Sequence, residues 1–101
     1  MDKSILDVVH ESANDLHDAG VISDTTMREF DALCLPKIRK LTADQIKSLR
    51  VKNKASQGVF AAYLNTSKST VQKWEQGQKH PNGSSLKLLN LVERKGLEIL
   101  A

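Results

Sequence analysis

Lys68, Ser69, Gln72 and Lys73 are spaced so that one edge of a short helix carries two ammonium groups, a hydroxyl and an amide. The chemistry open to such a set is recognition of a duplex. The two lysines suit guanine O6 and N7 or a phosphate, and Ser69 and Gln72 can reach base edges, the Gln72 amide matching adenine N6 and N7. Gln57, Thr66 and Thr70 add amide and hydroxyl groups of the kind that touch phosphates and fix register without reading sequence. Ser67 completes the candidate DNA-binding set, at the start of the same helix. An idle, solvated face would have to be offered to a groove for no purpose, so the recognition reading is preferred.

The elements that must position these groups lie between Ser56 and Gly77, SQGVFAAYLNTSKSTVQKWEQG. Ser56 can cap a first helix whose Phe60, Ala61 and Leu64 fall at helical spacing. Asn65, Thr66 and Ser67 make the turn, with Asn65 where positive φ is needed and Asn tolerates it. Ser67 caps the second helix, which points Val71 and Trp74 inward. Trp74 could stack on a base, but its spacing from Val71 assigns it to the core. Tyr63, near the turn, is open to either a phosphate contact or packing. Two short helices in this relation make a helix-turn-helix, whose second helix enters the major groove.

These residues resemble the lambda-repressor/Cro-type helix-turn-helix family, also called the xenobiotic-response-element (XRE) family. The likeness covers roughly residues 42–91: Gln57-x-x-Phe60-Ala61-x-x-Leu64, then Thr66-Ser67-x-x-Thr70-Val71-x-x-Trp74-Glu75-x-Gly77, with Pro81 at the usual distance. Arg50 precedes Gln57 by the family interval, and the resemblance implies a structural ion pair between Arg50 and Glu75. Asn65 stands where many members have Gly, a conservative departure. The fold expected is all-α: a five-helix lambda-repressor-like domain over residues 41–101, with an N-terminal helical extension and linker over residues 1–40.

The tail Pro81-Asn82-Gly83-x-x-Leu86-x-Leu88-Leu89-x-Leu91-Val92 looks like that of HigA-type antitoxins and NadS-like regulators. That resemblance implies an operator-binding antitoxin that neutralises a small basic RelE/HigB-like mRNA-interferase toxin and represses the shared operon. A stand-alone XRE-family repressor, or an adaptor that keeps the fold without DNA, competes with it. A homodimer is expected, because one recognition helix buries little surface and two-fold dimers read paired half-sites. The apolar excess at Leu88, Leu91, Leu97, Ile99 and Leu100 is the expected seam.

Charge separates the two regions. Residues 1–35 carry eight carboxylates against two cations, a balance of −6, and residues 36–101 carry thirteen cations against four carboxylates, +9. A domain so basic is drawn to phosphate backbones, and an acidic arm to a basic protein. Ser4 to about Ala19 reads as an amphipathic helix stopped by Gly20, with Ile5, Val8, Val9, Leu16 and Ala19 at helical intervals. Ile5, Val8, Val9, Glu11 and Leu16 are the candidate toxin-binding residues. Ser23 or Asp24 caps a second stretch, in which Met27, Phe30 and Leu33 or Cys34 repeat until Pro36. Thr42 with Gln45 is a capping box for the first helix of the DNA-binding domain. Ser84 or Ser85 is expected to cap the helix that runs to Gly96.

At 101 residues the chain is one small domain plus an appendage, too small to enclose a large catalytic cleft. No apolar run approaches a membrane span, and the acidic N-terminus lacks a signal pattern, so a cytoplasmic, nucleoid-associated protein is expected. Cys34 lies between Leu33 and Leu35 and reads as a buried small hydrophobe. His10 and His17 lie two turns apart, about 10 Å along a helix, too far to share a metal. No catalytic residues, metal site or cofactor are expected.

Overall fold

The computed structural model describes residues 4–101, so the first three residues of the expected extension lie outside the described residues. The chain divides into two compact units, Met1–Lys37 and Ile38–Ala101. The first unit holds helices α1 (Ile5–Asp18) and α2 (Asp24–Leu33). The second holds α3 (Ala43–Lys52), α4 (Gln57–Tyr63), α5 (Lys68–Glu75), α6 (Gly83–Lys95) and a 3-10 turn over Leu97–Leu100. The architecture is all-helical among the described residues. The fifth helix expected of the C-terminal unit is that single 3-10 turn.

Side-chain caps set the starts of all six α-helices. Ser4, Ser23, Thr42, Ser56 and Ser67 each accept a backbone N–H three residues on, and Ser4–Asp7 and Thr42–Gln45 form reciprocal capping boxes. The exception to expectation is α6. Its cap is Asn82, whose Oδ1 accepts from Ser85 N at 3.0 Å, so Gly83 and Ser84 are already helical. The amide oxygen of Asn82 starts the helix two residues earlier than a Ser84 cap would.

Four helices end in one and the same closed turn. After α1, α3, α4 and α5 the last two turns are tied by a pair of backbone bonds, such as Thr66 N to Ala61 O and Asn65 N to Ala62 O. Gly20, Lys54, Asn65 and Gly77 occupy the left-handed position of these turns, with φ of 77°, 57°, 54° and 74°.

The core of the C-terminal unit holds the inward residues expected of the two short helices, Phe60, Ala61, Leu64, Val71 and Trp74, together with Ile46, Leu49 and Leu89, and Leu86 packs at its edge. Leu41, Ala55, Val92 and Leu97 join them. Leu97 therefore leaves the expected dimer seam, and Leu88 and Leu100 are partly buried against the same core. Of that set Ile99 is the exposed member, at 46%.

Asn90 is the buried polar residue of this unit. Its Oδ1 accepts from Arg39 N at 2.9 Å, and its Nδ2 donates to Arg39 O at 2.9 Å and to Leu86 O at 2.8 Å. Both polar groups of the Arg39 backbone are thus held as in a β-ladder, and Arg39 also pairs with Glu93. This fastening assigns Arg39 to the C-terminal unit, although the sequence reading placed it in the linker.

In the N-terminal unit Ala13 and Met27 are the buried residues. His10 Nε2 lies 2.6 Å from Asp31 and His17 Nε2 lies 2.5 Å from Asp24, so the two histidines tie α1 to α2 at separate points. Cys34 is half-buried, against the expectation of full burial, and its Sγ donates to Leu6 O. Phe30 is half-buried, whereas Leu33 is 63% exposed and does not continue the repeat.

Trp74→Ala removes a side chain that is 4% exposed at the centre of the C-terminal core. The expected cost is about 3–5 kcal/mol, which urea denaturation followed by far-UV circular dichroism reads. A midpoint within error of the parent would place the indole outside the core.

Candidate nucleic-acid interface

Helix α5 has only eight residues, too few to be stable alone in water, so its geometry depends on neighbours. Val71 and Trp74 bury one face against the core. On the rest of the helix, Lys68 and Ser69 are exposed and Thr70, Gln72 and Lys73 are half-buried. Ser67 is exposed at the cap, and its hydroxyl lies 2.8 Å from the Thr70 hydroxyl while accepting from Thr70 N. Thr66 is half-buried in the preceding turn. Seven of the eight candidate DNA-binding residues therefore lie on α5, its cap and its turn.

The eighth, Gln57, opens α4 and is brought to the far end of α5. Its Nε2 donates to Glu75 Oε1 at 3.4 Å. Glu75 is fixed by Arg50, which donates from Nε at 2.8 Å and from Nη2 at 2.9 Å to the two carboxylate oxygens. The third arm of the guanidinium, Nη1, donates to Ala55 O at 3.0 Å. The planar fork of Arg fits a carboxylate in this two-bond fashion and a lysine would not.

Burial is the largest influence on Glu75 and would push its carboxyl up. The hydrogen bonds from Arg50 and Gln57, with the charges of Arg50 and Lys47, outweigh it and hold the carboxyl below its ordinary value. The Arg50 guanidinium is raised above its ordinary value by the hydrogen bonds to Glu75, against the opposing effect of burial. The Glu75 side chain is 5% exposed and that of Arg50 14%, so the pair is weakly screened by salt.

The five candidate toxin-binding residues, Ile5, Val8, Val9, Glu11 and Leu16, all lie exposed on α1. Sequence reasoning missed Lys47, which adds to the field on Glu75, and the carbonyl of Ala55 as a ligand of Arg50. It also missed Asn53, whose Nδ2 donates to Leu49 O and whose Oδ1 accepts from Leu97 N at 3.1 Å, tying the end of α3 to the 3-10 turn. The signal for Asn90 was present, since it sits four residues after Leu86 on the apolar stripe of α6.

Residues 46–91 match the family model described as helix-turn-helix. A 54-residue stretch is 46% identical to Antitoxin HigA-2 of Vibrio cholerae serotype O1, covering 54% of this chain and 52% of that protein. The chain thus spans about half the length of the relative it matches. The C-terminal unit thus carries a helix-turn-helix, and over this stretch it is similar to Antitoxin HigA-2.

Glu75→Gln leaves the Arg50 charge without its counterion and is expected to cost about 3–5 kcal/mol. The pH dependence has a definite sign. A carboxyl held low in the folded state stabilises fully above its unfolded value, near ~4.3 for Glu, and that contribution fades as pH falls through the folded value. Urea unfolding from pH 6 down to 2.5 should therefore show a steeper acid loss in the parent than in Glu75→Gln. Parallel profiles would mean that Glu75 carries no share of the acid sensitivity.

Proposed function

We propose that this chain is a sequence-specific DNA-binding antitoxin of a type II toxin–antitoxin system, which neutralises a RelE/HigB-like mRNA interferase and represses its own operon. The observation that carries the DNA-reading half is the fixed register of α5. Arg50 and Glu75 lock this helix to α3 and to the start of α4 while its polar edge remains open. Lys68, Ser69, Gln72 and Lys73 meet base edges, and Gln57, Thr66, Ser67 and Thr70 meet the phosphates on either side. The antitoxin half is supported by the likeness to a HigA antitoxin.

The N-terminal unit supplies the toxin-binding surface in this reading. Its two helices are joined through the Leu6 carbonyl, His10 and His17 on α1, with Ala13 buried, which leaves the apolar set exposed. Ile5 is 83% exposed, Val8 50%, Val9 37% and Leu16 45%. Asp7, Glu11 and Asp15 flank these residues and suit a basic partner, giving an apolar centre with a charged rim. The protein acts as a homodimer on two half-sites of operator DNA. With Leu97 in the core and Leu88 and Leu100 packed on it, the seam available at this end centres on Ile99 and the half-buried Leu91.

Two measurements test the two halves separately. In mobility shifts on the upstream promoter, joint alanine replacement of Lys68, Ser69, Gln72 and Lys73 should abolish specific binding. Gln72→Ala alone should cost about 1–3 kcal/mol at one operator position. Undiminished binding by the quadruple variant would overturn the recognition face. Co-expression of the neighbouring gene product with the full chain and with residues 38–101 should give neutralisation and co-purification with the full chain only. Equal performance by the truncated form would remove the N-terminal unit from inhibition, and retention by neither form would leave a stand-alone repressor.

A further inference from the structure

Lys54 occupies a backbone conformation that the rest of this chain reserves for residues able to bear it. Of the four closed turns described above, three place Gly20, Asn65 and Gly77 in the left-handed position, and α3 alone places a long β-carbon-bearing side chain there, at φ 57°. An L side chain in this region crowds the following carbonyl, and Gly is the least costly occupant. The backbone bonds of the turn hold this conformation, but the side chain adds nothing to offset its strain. Lys54 is exposed, and its ammonium has no carboxylate or hydrogen-bond partner among the described residues. A strained residue whose side chain does nothing for the fold points to a task outside it.

The surrounding geometry makes the position of Lys54 exact relative to α5. Lys54 N donates to Val51 O at 2.9 Å and Ala55 N to Arg50 O at 3.3 Å, while Arg50 Nη1 donates back to Ala55 O at 3.0 Å. Arg50 therefore grips the next residue, Ala55, from both its backbone and its side chain, and the same guanidinium holds Glu75 of α5. Gln57, two residues after Ala55, bonds the same carboxylate. A loop carrying a free cation is thus braced to the last residue of the recognition helix.

We infer that Lys54 is a phosphate-contacting positioning residue of the DNA complex, held in a strained backbone turn because its charge fixes the docking register of α5. The inference rests on the DNA-binding reading above. An ammonium at this place meets the duplex backbone as a point charge and carries no base preference, so its effect is the same on specific and unrelated sequences.

The test compares wild type, Lys54→Gly, Lys54→Gln and Lys54→Arg by thermal melting and by fluorescence anisotropy over a series of salt concentrations. The probes are a duplex of the promoter upstream of the chain's own gene and an unrelated duplex of equal length. Lys54→Gly should melt a few degrees higher, ~2–6 °C, yet bind both duplexes roughly tenfold more weakly, with a salt slope flatter by about one unit per bound protomer. Lys54→Gln should lose affinity like Lys54→Gly without the gain in melting temperature, and Lys54→Arg should retain affinity and slope. A Lys54→Gly protein that is more stable and binds with unchanged affinity and slope would overturn the inference while leaving the DNA-binding reading intact. Wild-type protein that binds neither duplex would overturn both.

Discussion

Arg50 is the constraint on which the recognition end of this fold depends. Helix α5 is two turns long, and the hydrophobic contacts of Val71 and Trp74 fix its depth but not its rotation or slide. Directional bonds must do that. The guanidinium spans three elements at once, with two bonds to Glu75 on α5 and one to the backbone between α3 and α4. Removing both charges from water is costly, and an apolar pair of equal volume could match the ion pair in stability. What an apolar pair could not reproduce is the angular definition of a forked donor on a carboxylate. A surface that reads base edges needs that definition more than it needs additional stability.

Much of this was legible in the sequence because it is local. Caps declare themselves by residue type and spacing, and Ser56, Ser67 and the Thr42–Gln45 box start their helices as expected. Asn65 adopts positive φ as its place in the turn required. The buried faces of α4 and α5, from Phe60 to Trp74, follow from helical spacing. The tertiary decisions were less accessible. Asn82 displaced the serines as the α6 cap because an amide oxygen reached the same donors from outside the apparent helix. Leu97 was assigned to a seam because periodicity counts apolar residues without saying which element folds back over the core. The pairing of Arg50 with Glu75 came from family likeness, since no local rule joins residues 25 apart.

The N-terminal unit shows the limit of periodicity in another way. Its apolar residues on α1 occur at helical intervals, which ordinarily marks a face turned toward a partner helix. The structure instead joins α1 to α2 through the two histidines, with Cys34 bonded to the Leu6 carbonyl, and among the described residues of the unit Ala13 and Met27 alone are buried. Two buried side chains are a small core, and a unit of this size buries little of its own surface. The exposed row from Ile5 to Leu16 is therefore a property of how the hairpin pairs, and one that composition could not reveal.

The Asn90 fastening also has a mechanical meaning. Pulling on the chain from the N-terminal side first loads the two bonds between Arg39 and Asn90, pulled near the middle of α6, with the Arg39–Glu93 pair in parallel. The load is taken up there, by the longest helix of the unit, before it can reach α3 or the brace that orients α5. Such an arrangement works as strain relief does on a cable. Tugging, unfolding or cleavage upstream of residue 38 would be arrested at Arg39, and the recognition helix would keep its aim.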